Sequence, residues 1–309
     1  MKNQNFTKQV ARKLLNTEMG SHTLARIWRG LEIHFVKKIS APFTITEVNR
    51  ISTVMFNLKT MDGDVFDETY TYIVVYDREN GEIVSFYRYI LCKDAIYTPF
   101  DVRLSTAKYF NFSQEFIKNV LPVTIELGRS VVNKTAQNQE NALQAVWIGL
   151  GVLVYEYFLH PNSIKVDYFF GKFSLKWSLY SEANKDMILF LFDKHFPPLR
   201  GFDQQPYITP MYEFKTDIDF STPESMLTSK NYKEDRKLLF SYLKRIGLDA
   251  PKLADSYANI GGLSSYGAIS NEELNSWENA ILTNIGEISN SYINRFVDGY
   301  STTNPDLFT

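Results

Sequence analysis

Cysteine is almost missing from this chain: Cys92 stands alone among 309 residues. An intrachain disulfide is thereby excluded, and the composition fits a reducing compartment. Histidine is nearly as scarce. His22, His34, His160 and His195 are scattered without the spacing that a bound metal needs. There is no Walker loop, no dinucleotide-binding glycine fingerprint and no HExxH helix. Internal repeats and low-complexity tracts are also lacking. No N-terminal run has the layout of a secretion signal, so a cytoplasmic location is expected. The most apolar run, AVWIGLGVLVYEYFL (145–159), is fifteen residues long and contains Glu156. It reads as a buried helix, too short to span a bilayer.

What the chain does have is aromatic residues, 23 Phe and 19 Tyr, enough for a sizeable folded core. The net charge is −2 but uneven. Residues 1–40 hold eight Lys/Arg against two Glu, a surplus of six, so the remainder carries −8. Residues 1–45 therefore read as a basic helical extension ahead of a main domain, 46–309. Such an extension suits an acidic protein or an anionic membrane surface, or is simply a solvated helical face. The negative total disfavours nucleic acid as a partner.

Helical spacing marks 6–15 and then LARIWRGLEIHFVKKI (24–39), with Pro42 as its stop. YTYIVVY (70–76) and EIVSFYRYI (82–90) flank the turn DRENG and predict a hairpin. A short helix capped by Ser113 is expected at 113–119. Later elements are a helix at 138–159, a strand at 164–171, and a helix at 181–196 with Ser181 as its cap. An edge strand broken by Pro210 follows at 206–215, then a helix at 233–247, a strand at 278–285 and a helix at 289–300.

The stretch VTIELGRSVV (123–132) has strand composition, yet Glu126, Gly128 and Arg129 interrupt it. In a regular strand Glu126 and Arg129 face opposite ways. A bulge near Gly128 would bring them toward one cleft and leave main-chain groups free to bind an extended ligand. The competing explanation is a structural ion pair at a sheet edge.

GEIVSFYRYI, then IELGRSVV, then AVWIGLGVLV together resemble the hemolysin-like acyltransferases of the GNAT fold. This bacterial family includes the N-acyltransferases of ornithine-lipid and glycine-lipid synthesis. There a strand ending G-T-Y-R precedes E-L-G-R-S and a helix with L-W-x-G. Here the matching residues are Tyr87–Arg88, Glu126–Leu127–Gly128–Arg129–Ser130 and Trp147–Ile148–Gly149. DRKLLFSYLKRIGLDAPKL and SYANIGGLSSYGAISNEELNSWENAILTNIGEI resemble the C-terminal half of the glycine-lipid enzymes, so the likeness spans about 65–298. The core is also similar to acyl-homoserine-lactone synthases, which keep a Glu at the position of Glu126. The chain departs from the pattern with Ser85–Phe86 for G-T, Tyr266–Gly267–Ala268–Ile269 for F-G-T-A, and SWENA (276–280) for V-E-E-T-G.

The resemblance implies a mixed α/β (α+β) GNAT-type fold, with a twisted central sheet flanked by helices. It implies transfer of a fatty acyl group from acyl carrier protein to the amine of an amino acid, in lipid synthesis. The co-substrate would be an acyl-phosphopantetheine thioester. NQENAL (138–143) lacks the glycines of the loop that holds CoA pyrophosphate in many acetyl-CoA enzymes, which favours the carrier protein over acyl-CoA. An amine must be neutral to attack, so a base is needed, and Glu126 is the candidate. Tyr180 is a candidate acid for the leaving thiolate. Arg129 and Arg88 suit carboxylate recognition or orientation of the donor. Their alternative is pairing with the acidic run Asp62, Asp64, Asp67 and Glu68. Asp67 is a candidate contact for the acceptor amine. Gly128 and Ser130 are further substrate-binding candidates, and Trp147, Leu150, Phe169, Phe170 and Phe173 would wall the acyl chain. The amphiphilic product implies peripheral contact with the inner membrane face. The other functional readings are an acyl-CoA-dependent acetyltransferase and a member of the fold that binds without turnover.

Overall fold

The computed structural model describes residues 2–22, 24–57, 64–136, 139–211, 219, 221–272 and 274–300. In chain order the elements begin with α1 (Lys2–Ser21), β1 (Leu24–Trp28), β2 (Leu31–Val36), α2 (Pro42–Phe56), β3 (Thr71–Asp77) and β4 (Glu82–Leu91). Short strands β5 (Ile96–Thr98), β6 (Asp101–Val102) and β7 (Phe110–Phe112) lead to β8 (Thr124–Val132) and α3 (Gln139–Val154). Then come β9 (Tyr168–Lys176), α4 (Glu182–His195), β10 (Ile208–Pro210), α5 (Ser221–Met226), α6 (Tyr232–Arg245) and α7 (Lys252–Ile260). β11 (Leu263–Asn271), β12 (Ser276–Asn284) and α8 (Asn290–Val297) complete the series. Two compact units divide the chain. The first is Met1–Ile90, Leu127–Val166 and Asn290–Thr309; the second is Leu91–Glu126 and Asp167–Ser289. The division falls inside β8, after Glu126.

In the first unit the strands run β1, β2, β3, β4, then the latter part of β8. The β1–β2 hairpin replaces the helix expected at 24–39. Leu24, Ile27, Trp28 and Leu31 have helical spacing, but Arg29 (φ +49°) and Gly30 (φ +80°) turn the chain back on itself. Two consecutive left-handed residues make the tight turn that matches strand twist. Pro42 does not stop a helix. It opens α2, at a position where its missing N–H costs nothing. The Glu18 carboxylate of α1 accepts from Phe43 N (2.9 Å), Thr44 N (2.7 Å) and Thr44 Oγ1 (2.7 Å), so α1 satisfies orphan donors of α2. Leu15 and Met19 then enter a core with Val36, Ile45, Val48, Tyr72, Val74 and Phe86. The hairpin expected from 70–90 is present, as β3 and β4.

Helix α3 continues through a π-helical turn, Tyr155–Leu159, as the sequence predicts for 138–159. Its Gly149 lies against Ile73 and Ile33, and its Gly151 against the Phe296 carbonyl of α8. The stretch Asn141–Leu159, at 19 residues, has the length and mean hydropathy of a spanning segment, yet 67% of its most apolar window is buried. That is the burial of a core helix.

In the second unit the strands run from the start of β8 through β9 and β12 to β11. β9 and β12 pair over nine residues without a shift. The strand expected at 164–171 begins only at Tyr168 and runs on to Lys176. α4, capped by Ser181, covers one face through Phe192, whose ring lies 4.7 Å from that of Phe173. Of the edge strand expected at 206–215, β10 forms beside β7, and 212–215 lie outside the described residues.

Candidate active site

β8 carries the residues on which the sequence reading turns. Its parallel register with β9 runs over Thr124↔Tyr168, Ile125↔Phe169 and Glu126↔Phe170. Three residues later, next to Gly128, the backbone turns left-handed at Arg129 (φ +52°). A non-glycine residue held left-handed is strained, and such strain survives only where surrounding contacts fix it. Here the fixing contacts are visible.

The Arg129 Nη1 donates to Asn49 Oδ1 (2.6 Å), Tyr72 Oη (2.9 Å) and Asp67 Oδ1 (3.1 Å). Asp67, fully buried in the short helix Val65–Glu68, also accepts from Tyr72 Oη (2.6 Å) and Asn49 Nδ2 (2.9 Å). Arg88 faces Tyr72 across the β3–β4 register. It donates to Asp64 Oδ2 at 2.8 Å and more distantly to Asp67 Oδ1 at 3.5 Å, with its guanidinium over the Tyr70 ring. Burial disfavours charge on Arg88, but Tyr72 and Asp64 outweigh it and hold the guanidinium above its ordinary value. Burial likewise opposes ionisation of Asp64, and Arg88 overcomes it, so that carboxyl sits below its usual range. The Tyr72 phenol is pushed up to about 12 by burial and keeps the proton it donates.

The structure therefore brings Asp67, Arg88 and Arg129 together in the first unit. It adds three residues the sequence reading missed or left in the background: Asn49, Tyr72 and Asp64. Two guanidiniums meet two carboxylates, so the cluster is charge-balanced. This is the pairing with the acidic run that stood as the alternative for both arginines; Asp62 lies outside the described residues. The cross-strand pair Tyr72–Arg88 was available from the hairpin register. Asn49 carries no signal in the sequence, where Pro42 reads as a helix end and not as the start of α2.

Glu126 belongs to the second unit and is fully buried. Its Oε1 accepts from Thr106 N (2.9 Å) and Thr106 Oγ1 (2.6 Å), and its Oε2 from Ser105 N (3.3 Å) and Ser105 Oγ (3.2 Å). Both carboxylate oxygens thus accept from a backbone N–H and a hydroxyl. These donors come from the first turn of the 3₁₀ helix Ser105–Lys108, which Glu126 caps. Cys92 is buried nearby; burial and the charge of Glu126 push its thiol well up, so it supplies no thiolate nucleophile.

Gly128 and Ser130 are half-buried on either side of Arg129. Trp147 is half-buried on α3 with its ring 5.5 Å from Phe296 of α8. Trp147 and Leu150 lie in the first unit; Phe169, Phe170 and Phe173 lie in the second. Phe170 packs in an aromatic group with Phe112 and Phe116. Tyr180 is buried and donates to the Asp249 carbonyl at 2.8 Å, a packing role.

Residues 49–147 match the acetyltransferase (GNAT) domain. The chain is 31% identical over 272 residues to a glycine N(alpha)-acyltransferase of Phocaeicola vulgatus, covering 81% of this chain and 79% of the relative. A protein of the same name from Bacteroides thetaiotaomicron is 28% identical, covering 98% of this chain and 92% of that one. The solved CoA-dependent acyl-homoserine lactone synthase BjaI, with SAM and isopentyl-CoA, aligns with a TM-score of 0.36 at 9% identity, over 87% of this chain and 89% of that one. With its mixed α/β sheet and its GNAT segment, the chain belongs to the glycine N(alpha)-acyltransferase family.

Proposed function

We propose that this acyltransferase moves a fatty acyl group from the phosphopantetheine thioester of acyl carrier protein to the α-amine of glycine. The product is an N-acyl amino acid destined for lipid synthesis at the inner membrane face. The observation that carries the reading is the arrangement along β8. The parallel ladder with β9 reaches Glu126 as its last residue, and the buried carboxylate there meets the Ser105 and Thr106 hydroxyls. Main-chain N–H groups in such a stretch suit the oxyanion that forms when the amine adds to the thioester carbonyl. The C–N bond forms, the C–S bond breaks, and the thiolate leaves on the carrier. The amine proton passes to Glu126 through the Thr106 hydroxyl, which already points at Oε1. Arg129, Arg88 and Asp67 fix the first unit's own part of β8.

A second reading has a specific observation in its favour. The four donors around Glu126 are what a purely structural carboxylate would have, as expected for a member that binds acyl groups without turnover. One experiment separates them. The purified chain is incubated with acyl carrier protein or acyl-CoA donors and a panel of amino acids, and products are read by mass spectrometry. N-acylglycine from the carrier-protein donor is expected. Product from acyl-CoA alone would move the donor assignment, and no N-acyl product from any donor would leave the binding reading standing.

A further inference from the structure

The second unit holds another buried acid that the reaction above does not use. Its placement follows from strand parity. Glu126 is the register partner of Phe170, so the two share a face of the sheet. Side chains alternate along a strand, which puts Lys172, Ser174 and Lys176 of β9 on that same face. The unshifted pairing Ser174↔Glu278 and Lys176↔Ser276 carries the face onto β12, and Asn271↔Ser276 carries it onto β11. α4 covers the opposite face, through Phe173.

On this face Glu278 is fully buried. Its carboxylate accepts from Lys172 Nζ (2.5 Å), Ser174 Oγ (2.6 Å), Ser276 Oγ (2.6 Å) and, at 3.5 Å, Asn271 Nδ2. Burial opposes its charge; Lys172 and the two serines outweigh burial and hold its carboxyl below the ordinary range. The Lys172 ammonium also stands 5.4 Å from the centre of the Tyr109 ring. Tyr109 in turn follows directly on the 3₁₀ helix whose first turn binds Glu126. Burying a carboxylate is costly unless it is paired. Here the cost fixes one ammonium whose side chain remains 20% exposed and has N–H donors to spare.

Arg88 and Arg129 share their cluster with Asp64 and Asp67 and are 6% and 14% exposed, whereas Lys172, held by Glu278, is 20% exposed. We propose that Lys172 binds the carboxylate of the amino-acid acceptor, with Glu278 as the positioning residue that fixes its ammonium. The proposal rests on the acyl-transfer reading. It commits this face of the second unit to the acceptor.

The test compares glycine with glycinamide, which keeps the amine and lacks the negative charge. The wild-type chain is expected to prefer glycine in kcat/KM by roughly tenfold or more, the scale of one charge-assisted hydrogen bond. Lys172→Met should bring the ratio of the two kcat/KM values toward one, Lys172→Arg should recover part of it, and Glu278→Gln should lower it by raising KM for glycine more than it lowers kcat. A merely structural role for Lys172 would lower both acceptors alike. Equal wild-type kcat/KM for the two acceptors overturns the proposal without any variant, as does a folded Lys172→Met that keeps the preference. Failure of the wild type to make N-acylglycine from either donor would instead remove the acyl-transfer reading, and this proposal with it.

Discussion

Glu126 is where a single atom pair decides most. Glu126→Gln keeps the shape but turns an acceptor oxygen into an NH₂ group facing donors. If Glu126 takes the amine proton, turnover should fall by about 10²–10⁴. A circular-dichroism melt on the same sample separates lost chemistry from lost fold, and a folded, fully active variant would end the base assignment. Arg129 offers a second test. Removing it takes away one of the cations matching buried Asp67, so Arg129→Ala should cost about 3–5 kcal/mol of stability in a urea titration. Individual residues were only partly legible in the sequence. The ELGRS motif pointed at Glu126 and Arg129, but their partners Thr106, Asn49 and Tyr72 come from other segments. Only the fold brings those together. A bulge is expected near Gly128 because glycine leaves room for close backbone approach; the left-handed residue is Arg129, held by three hydrogen bonds.

At the scale of elements, the sequence read best where one periodicity dominated. β3, β4, β12, α4 and α6 fall within a few residues of expectation. It failed at 24–39, where apolar residues fit two periods and the Arg29–Gly30 turn broke the tie. It also missed β11 and α7, which lie in a stretch rich in serine, glycine and asparagine. Helix packing gives a further prediction. Gly151 lets α3 approach the α8 backbone at Phe296 so closely that even a methyl group would collide. Gly151→Leu should therefore destabilise the first unit by about 1–3 kcal/mol, visible as a lower Tm, even though leucine is the better helix former. An unchanged or higher Tm would mean that α8 is free to shift.

For the molecule as a whole, acid should be the weakest condition. Asp64, Glu278 and Asp235 are all held below the ordinary carboxylate range: burial opposes each charge, and Arg88, Lys172 and Lys194 respectively help to overcome it. Depressed folded values mean that the unfolded chain binds protons first. Their contribution is present above the unfolded value, about pH 4, and is lost as pH falls through the lower folded values. Calorimetric Tm should begin to fall below about pH 6.5, where burial keeps His34 from taking the proton the unfolded chain binds, and fall more steeply below about pH 5, and Glu278→Gln should flatten part of the acid decline. A Tm insensitive to acid would show that these acids are paired equally well in the unfolded chain.

The helix Ser105–Lys108 grips one hidden acid at its head, and the tyrosine after it leans on the lysine of the other. Four residues thus work as a spacer of set length. Adding or deleting a single residue there would unmoor Glu126 and Lys172 together, so the second unit should tolerate length changes worse at this turn than in any exposed loop of similar size.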